Sequence, residues 1–288
     1  MNTQELAWQT TDGLDILARL WQPQPDQATT PQKGIVCLIH GLGEHSGRYA
    51  PIAQALTQAG YVLLAPDLRG HGRSEGARGD APTYATLLDD ITLLLAQAAG
   101  RFPTAPRFLY GHSMGGNLAL NYALRYPHSI AGAVISAPWL ALAFTPPRAK
   151  LLLARVLQKV VPHLTMPSGL NTRHLSRDPA VISAYVNDSL VHDRISVRMA
   201  LALMESGQWI LEHAHNCETP LLLMHGAQDC ITSAEATARF ASSVPSDCTF
   251  KCWEGLYHEI HNEPQADAIH SMITWLDAHS TGHNPVST

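Results

Sequence analysis

The chain has 288 residues, 45% of them hydrophobic, enough for one substantial core and a smaller appendage. A formal net charge of −5 with no basic run argues against a nucleic-acid partner. Five scattered cysteines do not form a disulfide framework, and no apolar run reaches the roughly eighteen residues of a membrane span.

The first residues, Met-Asn-Thr-Gln-Glu-Leu, have neither a basic start nor an apolar stretch, so no signal peptide and a cytoplasmic address are expected. A hairpin is predicted around residues 4–21. Residues 35–40 (Ile-Val-Cys-Leu-Ile-His) read as a buried strand. A helix through Ile52 and Leu56 ends near Gly60, and 61–66 are strand again. The clearest helix carries Tyr84, Leu87, Leu88, Ile91, Leu94, Leu95 and Ala98 at helical spacing, with Asp89 and Asp90 on the other face. Pro82 suits its first turn and Gly100 its end. Residues 107–110 have strand character, and 117–126 have helical character up to Pro127. Two further strands are predicted at 220–225 and 248–253. A final helix after Asn262, with Pro264 in its first turn, is expected to bury Ile269, Met272, Ile273 and Leu276. Uniformly apolar strands between amphipathic helices predict a parallel, doubly wound sheet covered on both faces.

Between Ile135 and Pro220 this rhythm breaks, and no strand-like run matching the core appears. The division predicted is a discontinuous core (1–137 and 215–280), a helical cap (138–214) and a polar, frayed tail (281–288). Within the cap, Leu152, Val156, Leu157, Val160 and Val161 can share one face of a helix over 148–161, with Arg148, Arg155 and Lys159 toward another. Such a helix either roofs a pocket or meets membranes or micelles transiently through exposed leucines; roofing is the favoured reading.

Residues 109–116 read Leu-Tyr-Gly-His-Ser-Met-Gly-Gly, placing Ser113 between Gly111 and Gly115 in G-x-S-x-G spacing. The short pattern alone occurs by chance; between a strand and a helix it describes a nucleophile elbow. Its glycines are needed because a Cβ there meets neighbouring backbone, and the following helix aims free N–H groups at a developing oxyanion. A serine hydroxyl needs a base, oriented by an acid. Asp229 closes the loop after 220–225, and His258 lies in the loop after 248–253, so Ser113, Asp229 and His258 follow in the expected order at three strand ends. The chain has sixteen histidines, and position alone selects His258.

The oxyanion donors expected are the amides of Met114, after the nucleophile, and Leu42, between Gly41 and Gly43. His40 reads as a structural residue of that loop, and Glu44, His45, Arg48 and Tyr49 mostly as its braces. Cys37, Cys248 and Cys252 are expected as small core residues, and Cys230, next to Asp229, as partly exposed. No metal site is expected. His258-Glu-Ile-His261 has histidine spacing i, i+3 instead of the i, i+4 of a zincin, and Cys248 and Cys252 lack a second ligand pair.

Four strings together resemble the monoacylglycerol lipase and lysophospholipase branch of the α/β-hydrolases: residues 40–49 (His-Gly-Leu-Gly-Glu-His-Ser-Gly-Arg-Tyr), 67–74 (Asp-Leu-Arg-Gly-His-Gly-Arg-Ser), 111–115, and 254–263 (Glu-Gly-Leu-Tyr-His-Glu-Ile-His-Asn-Glu). The resemblance runs over roughly residues 5–277, interrupted mainly in the middle, and 41–49 is its most specific piece. It implies an α/β-hydrolase fold: a mostly parallel eight-stranded sheet with a helical cap inserted after the sixth strand. It also implies hydrolysis of single-chain lipid esters without metal or organic cofactor, foremost monoacylglycerol to glycerol and fatty acid through an acyl-enzyme. Lysophospholipids, aryl esters and thioesters stay open as substrates, and a non-catalytic ligand receptor is the alternative of another class. Relatives that are dehalogenases or epoxide hydrolases carry Asp where this chain has Ser113. Asn117 departs from the small apolar residue commoner at its position and bears on local helix packing.

Overall fold

The computed structural model describes residues 1–24, 32–245, 247–263 and 267–280. Its strands are β1 (Asn2–Gln9), β2 (Asp15–Gln22), β3 (Gly34–Ile39), β4 (Tyr61–Pro66), β5 (Arg107–His112), β6 (Gly132–Ser136), β7 (Thr165–Pro167), β8 (Arg194–Ser196), β9 (Leu221–Gly226) and β10 (Cys248–Trp253). Its α-helices are α1 (Ala50–Gln58), α2 (Tyr84–Arg101), α3 (Met114–Arg125), α4 (Arg148–Val160), α5 (Pro179–Asn187), α6 (Val197–Glu212), α7 (Ala234–Ser243) and α8 (Ala268–Ser280).

Eight strands pair in the order β1-β2-β4-β3-β5-β6-β9-β10. The β1–β2 hairpin is antiparallel and joins β4 antiparallel, and every pairing from β4 to β10 is parallel. Every residue of β3, β4, β6 and β9 is buried, as a sheet covered on both faces requires. Alternation divides their side chains. Ile35, Cys37 and Ile39 join α2, α3, α6 and α7 on one face, whereas Val36 and Leu38 join α1 and α8 on the other. This is the α/β-hydrolase fold expected.

Several boundaries differ from expectation. Helix α2 begins after a Thr83 cap whose hydroxyl accepts from the Thr86 amide, so Pro82 stands outside it, and Gly100 lies within its last turn. Asp90 is half-buried and pairs with Arg69 at 2.5 Å, so that face of α2 is not simply solvated. Helix α3 starts at Met114, directly behind Ser113, instead of at 117. The last helix is described from Ala268; Pro264 and the tail from 281 lie outside the described residues. Cys37 is buried, but Cys248 is half-buried and Cys252 exposed, because β10 is an edge strand.

The segment between β6 and β9 is mainly helical, but two three-residue strands, β7 and β8, pair in it. Helix α6 buries Leu203 and Ile210 in the same cluster as α3, so by packing it belongs with the core face although it lies inside 138–214. Helix α4 overturns the favoured roofing reading of its apolar face. It has no buried residue: Leu152 is 64%, Val156 54% and Val160 73% exposed, while Leu151, Ala154, Leu157 and Gln158 are the half-buried positions. Among the described residues, no helix is long and apolar enough to cross a membrane.

Two glycines fasten the segment to the core. The His192 amide donates to Gly43 O and the Ser196 amide to Gly79 O, both at 2.8 Å. Gly43 and Gly79 have φ of +80° and +66°, and a Cβ on either would overlap the carbonyl of His192 or Arg194. Asn117 fastens it a second time. Fully buried, its side chain accepts from the Tyr84 hydroxyl (2.7 Å) and Ser206 hydroxyl (2.9 Å) and donates to the carbonyls of Trp139 (2.7 Å) and Leu203 (3.3 Å). All its donors and acceptors are used, so the departure at this position builds a satisfied polar joint instead of a packing fault.

Candidate active site

Ser113 sits where β5 turns into α3, at φ 55° and ψ −114°, a conformation that costs a non-glycine residue roughly 1–3 kcal/mol. Its amide donates to Ser136 O (2.9 Å), and its carbonyl accepts from Asn117 (3.0 Å) and Trp139 (3.0 Å), which hold the strained turn from three elements. A Cβ on Gly111 would overlap Gly115 O, and one on Gly115 would overlap Ile39 O, so strand and helix approach only with glycine at both positions.

Asp229 and His258 stand in the loops after β9 and β10. His258 Nδ1 lies 2.6 Å from Asp229 Oδ2, and both side chains are buried. The carboxylate is held further by the amides of Ile231 (2.7 Å) and Thr232 (3.1 Å) on Oδ1, and by the Thr232 hydroxyl (2.9 Å) and His225 Nε2 (3.0 Å) on Oδ2. Burial opposes ionisation of Asp229, but the His258 charge and the hydrogen bonds from His225 and His258 hold its carboxyl well below the usual range. Burial likewise opposes charge on His258, yet Asp229, with Glu259 and Glu44, raises its pKa above the ordinary 6.5. Burial, with His258 close by, pushes neighbouring His112 well below that value.

Ser113 and His258 line one cavity of about 260 Å³, together with Gly41, Leu42 and His112. No hydrogen bond closes between their side chains; such bonds are often long without substrate. Neither the Leu42 amide nor the Met114 amide donates to another backbone carbonyl in the described loops. Trp139, Leu142, Phe144, Leu170, Leu175 and Ile231 supply apolar wall, and Glu44, Asn171, His174 and Glu259 polar wall. Helix α4 contributes nothing to it. Cys230 is exposed at its edge.

The loop after β3 is braced as its residue types suggested. His40 is fully buried, bonding Gly41 O through Nδ1 (2.8 Å) and accepting from the Leu68 amide at Nε2 (2.9 Å). Glu44 Oε1 accepts from the Gly41 amide (2.6 Å) and Tyr49 hydroxyl (2.7 Å). Arg48 pairs with Glu44 and, through two 2.8 Å bonds, with Glu259, the neighbour of His258. The Leu42 loop and the His258 loop thus share one half-buried cation. Burial disfavours the Glu259 carboxylate, but the Arg48 charge and hydrogen bond lower its pKa to about 2.

Sequence reasoning missed His225 and Thr232 at Asp229. His225 was visible only as the end of an apolar strand run, and nothing in one sequence says which way a strand-end imidazole turns.

The family described as "Serine aminopeptidase, S33" matches residues 30–265. A monoacylglycerol lipase of Mycolicibacterium smegmatis is 34% identical over 270 residues, covering 93% of this chain and 94% of that one. An abhydrolase domain-containing protein of Dictyostelium discoideum is 36% identical over 271 residues, 93% of this chain but 28% of the longer protein. The crystal structure of a Paleococcus ferrophilus monoacylglycerol lipase superposes with a TM-score of 0.81 at 31% identity, covering 97% of this chain and all of that one.

Proposed function

The chain belongs to the serine aminopeptidase S33 family of α/β-hydrolases, in its monoacylglycerol lipase branch, and from that premise we propose that this carboxylic ester hydrolase cleaves monoacylglycerol to glycerol and a free fatty acid. The observation that carries the reading is that His258, paired with Asp229 at 2.6 Å, lines the same cavity as Ser113 on its strained turn.

In the proposed cycle His258 takes the Ser113 proton as the hydroxyl attacks the ester carbonyl, and Asp229 stabilises the imidazolium that forms. The Leu42 and Met114 amides receive the oxyanion, each contributing roughly 10²–10³ in rate. Glycerol leaves with the proton from His258, and His258 then activates water to release the acid from Ser113. The apolar wall suits an acyl chain, and Glu44, Asn171 and His174 suit a glycerol headgroup. Residues 138–214, apart from helix α6 on the core face, act as the cap over this cavity. The outer face of α4 meets the lipid surface: its leucines and valines are exposed, and Arg148, Lys150, Arg155 and Lys159 accompany them on a helix without acidic residues. Five free cysteines support a reducing, cytoplasmic setting.

The test is a panel of monoacylglycerols of several chain lengths, lysophosphatidylcholine, a triacylglycerol and p-nitrophenyl esters, with Ser113→Ala as control. Monoacylglycerol turned over fastest, and lost in Ser113→Ala, is expected. Activity on p-nitrophenyl esters alone sinks the lipid assignment, and activity surviving in Ser113→Ala sinks the triad.

A further inference from the structure

His225 is the penultimate residue of β9, with no exposed surface, four residues before Asp229. Its Nε2 faces three oxygens: Asp229 Oδ2 at 3.0 Å, the Thr232 carbonyl at 3.3 Å and the Thr232 hydroxyl at 3.4 Å. Its Nδ1 faces the Thr237 hydroxyl on α7 at 2.9 Å. A bare ring nitrogen against a carboxylate and a carbonyl is repelled, so Nε2 carries the proton and Nδ1 accepts from Thr237. Asp229 Oδ2 therefore stands between two imidazoles, His258 at 2.6 Å and His225 at 3.0 Å. The Thr232 hydroxyl is no substitute, because its single proton is divided between Oδ2 (2.9 Å) and Ala137 O (3.0 Å).

Resting on the triad reading above, we infer that His225 is a positioning residue whose N–H holds the Asp229 carboxylate and, by sharing the charge on Oδ2, sets how firmly His258 keeps its proton. An imidazolium at His258 is stabilised by undivided charge on that oxygen. A second N–H donor disperses it, so His258 becomes a free base at lower pH than it otherwise would. The other groups facing His258 are Glu259 and Glu44, and the rings of His112, at 4.8 Å, and His261. None of them bonds Oδ2, so none duplicates the effect.

His225→Leu removes the donor at similar volume, and His225→Gln keeps an N–H. Turnover of a soluble p-nitrophenyl ester is followed against pH, with thermal melts alongside. In His225→Leu, kcat falls about tenfold with KM within about twofold, and the acidic limb of kcat/KM moves up by about half to one pH unit; His225→Gln keeps the limb. The low-field proton resonance of His258 Nδ1 moves in His225→Leu and not in His225→Gln, a readout independent of turnover. If His225→Leu does not melt cooperatively, His225→Phe carries the same test. A limb and resonance unmoved in a folded variant lacking the N–H overturn the inference, as does an equal loss in His225→Gln. Ser113→Ala separates the two readings: turnover surviving there refutes the triad, whereas a dead Ser113→Ala beside an unmoved limb refutes His225 alone.

Discussion

Arg48→Met tests whether the two loops that flank the reaction are held by charge. Glu44 and Glu259 keep 4% and 2% of their side-chain surface exposed, so removing the guanidinium leaves two buried carboxylates facing each other. Holding the Glu259 carboxyl at about 2 instead of 4.5 corresponds to about 3 kcal/mol. The sign is that of a depressed acid: the stability is present above pH 4.5 and lost as pH falls toward 2. Breaking buried pairs elsewhere costs about 3–5 kcal/mol, which agrees. At pH 7 the melting temperature of Arg48→Met should drop by roughly 6–12 °C, and kcat/KM should fall with it. Because a proton can relieve the carboxylate pair, the deficit against wild type should shrink at pH 5. The triple variant Glu44→Gln, Arg48→Met, Glu259→Gln should recover more than half of it. Differential scanning calorimetry at both pH values decides. Equal deficits at pH 5 and pH 7, with no recovery in the triple variant, would show that Arg48 acts by packing on the Tyr185 ring, 4.6 Å away, and not by charge.

Two further outcomes follow from burial. His40, His71, His112 and His261 are buried and their pKa values lie below 6.5, chiefly through desolvation, with His261 at about 4. Below pH 6.5 each is harder to protonate in the folded chain than in the unfolded one, so the fold loses stability as pH falls and melting temperature should drop between pH 6.5 and 5; a flat profile refutes this. Replacing Leu152, Val156 and Val160 by serine should weaken partition onto lipid vesicles by about a hundredfold, with turnover of a soluble ester unchanged. Unchanged partition would remove α4 from the lipid surface.

What could be read from sequence was whatever depends on neighbours along the chain. The elbow was legible because strand, glycines and helix are contiguous, and the candidate acid and base because each follows its strand directly. What depends on partners across the fold was not. His225 meets Asp229 only because the loop after β9 folds back, and Arg48 meets Glu259 across 211 residues. Periodicity identified the apolar face of α4 but could not say whether anything covers it. Strands of three residues, β7 and β8, carry too little pattern to stand out. Cys252 alternates like a core residue, yet its strand turned out to be the sheet's edge.

The seam at Gly43 and Gly79 divides the inserted segment into parts with different freedom to change. Residues 192–196 are wedged backbone against backbone beside the Leu42 loop, where a single added methyl has no room. Residues 144–161 hold the exposed helix and, in Phe144, part of the cavity wall and lie outside that seam, whereas 165–167 pair with 194–196 at it. The wall around Phe144 can therefore be re-engineered as an exchangeable module: grafts confined to 144–161 leave the paired strands at 165–167 and 194–196, and the Leu42 loop beside them, in register.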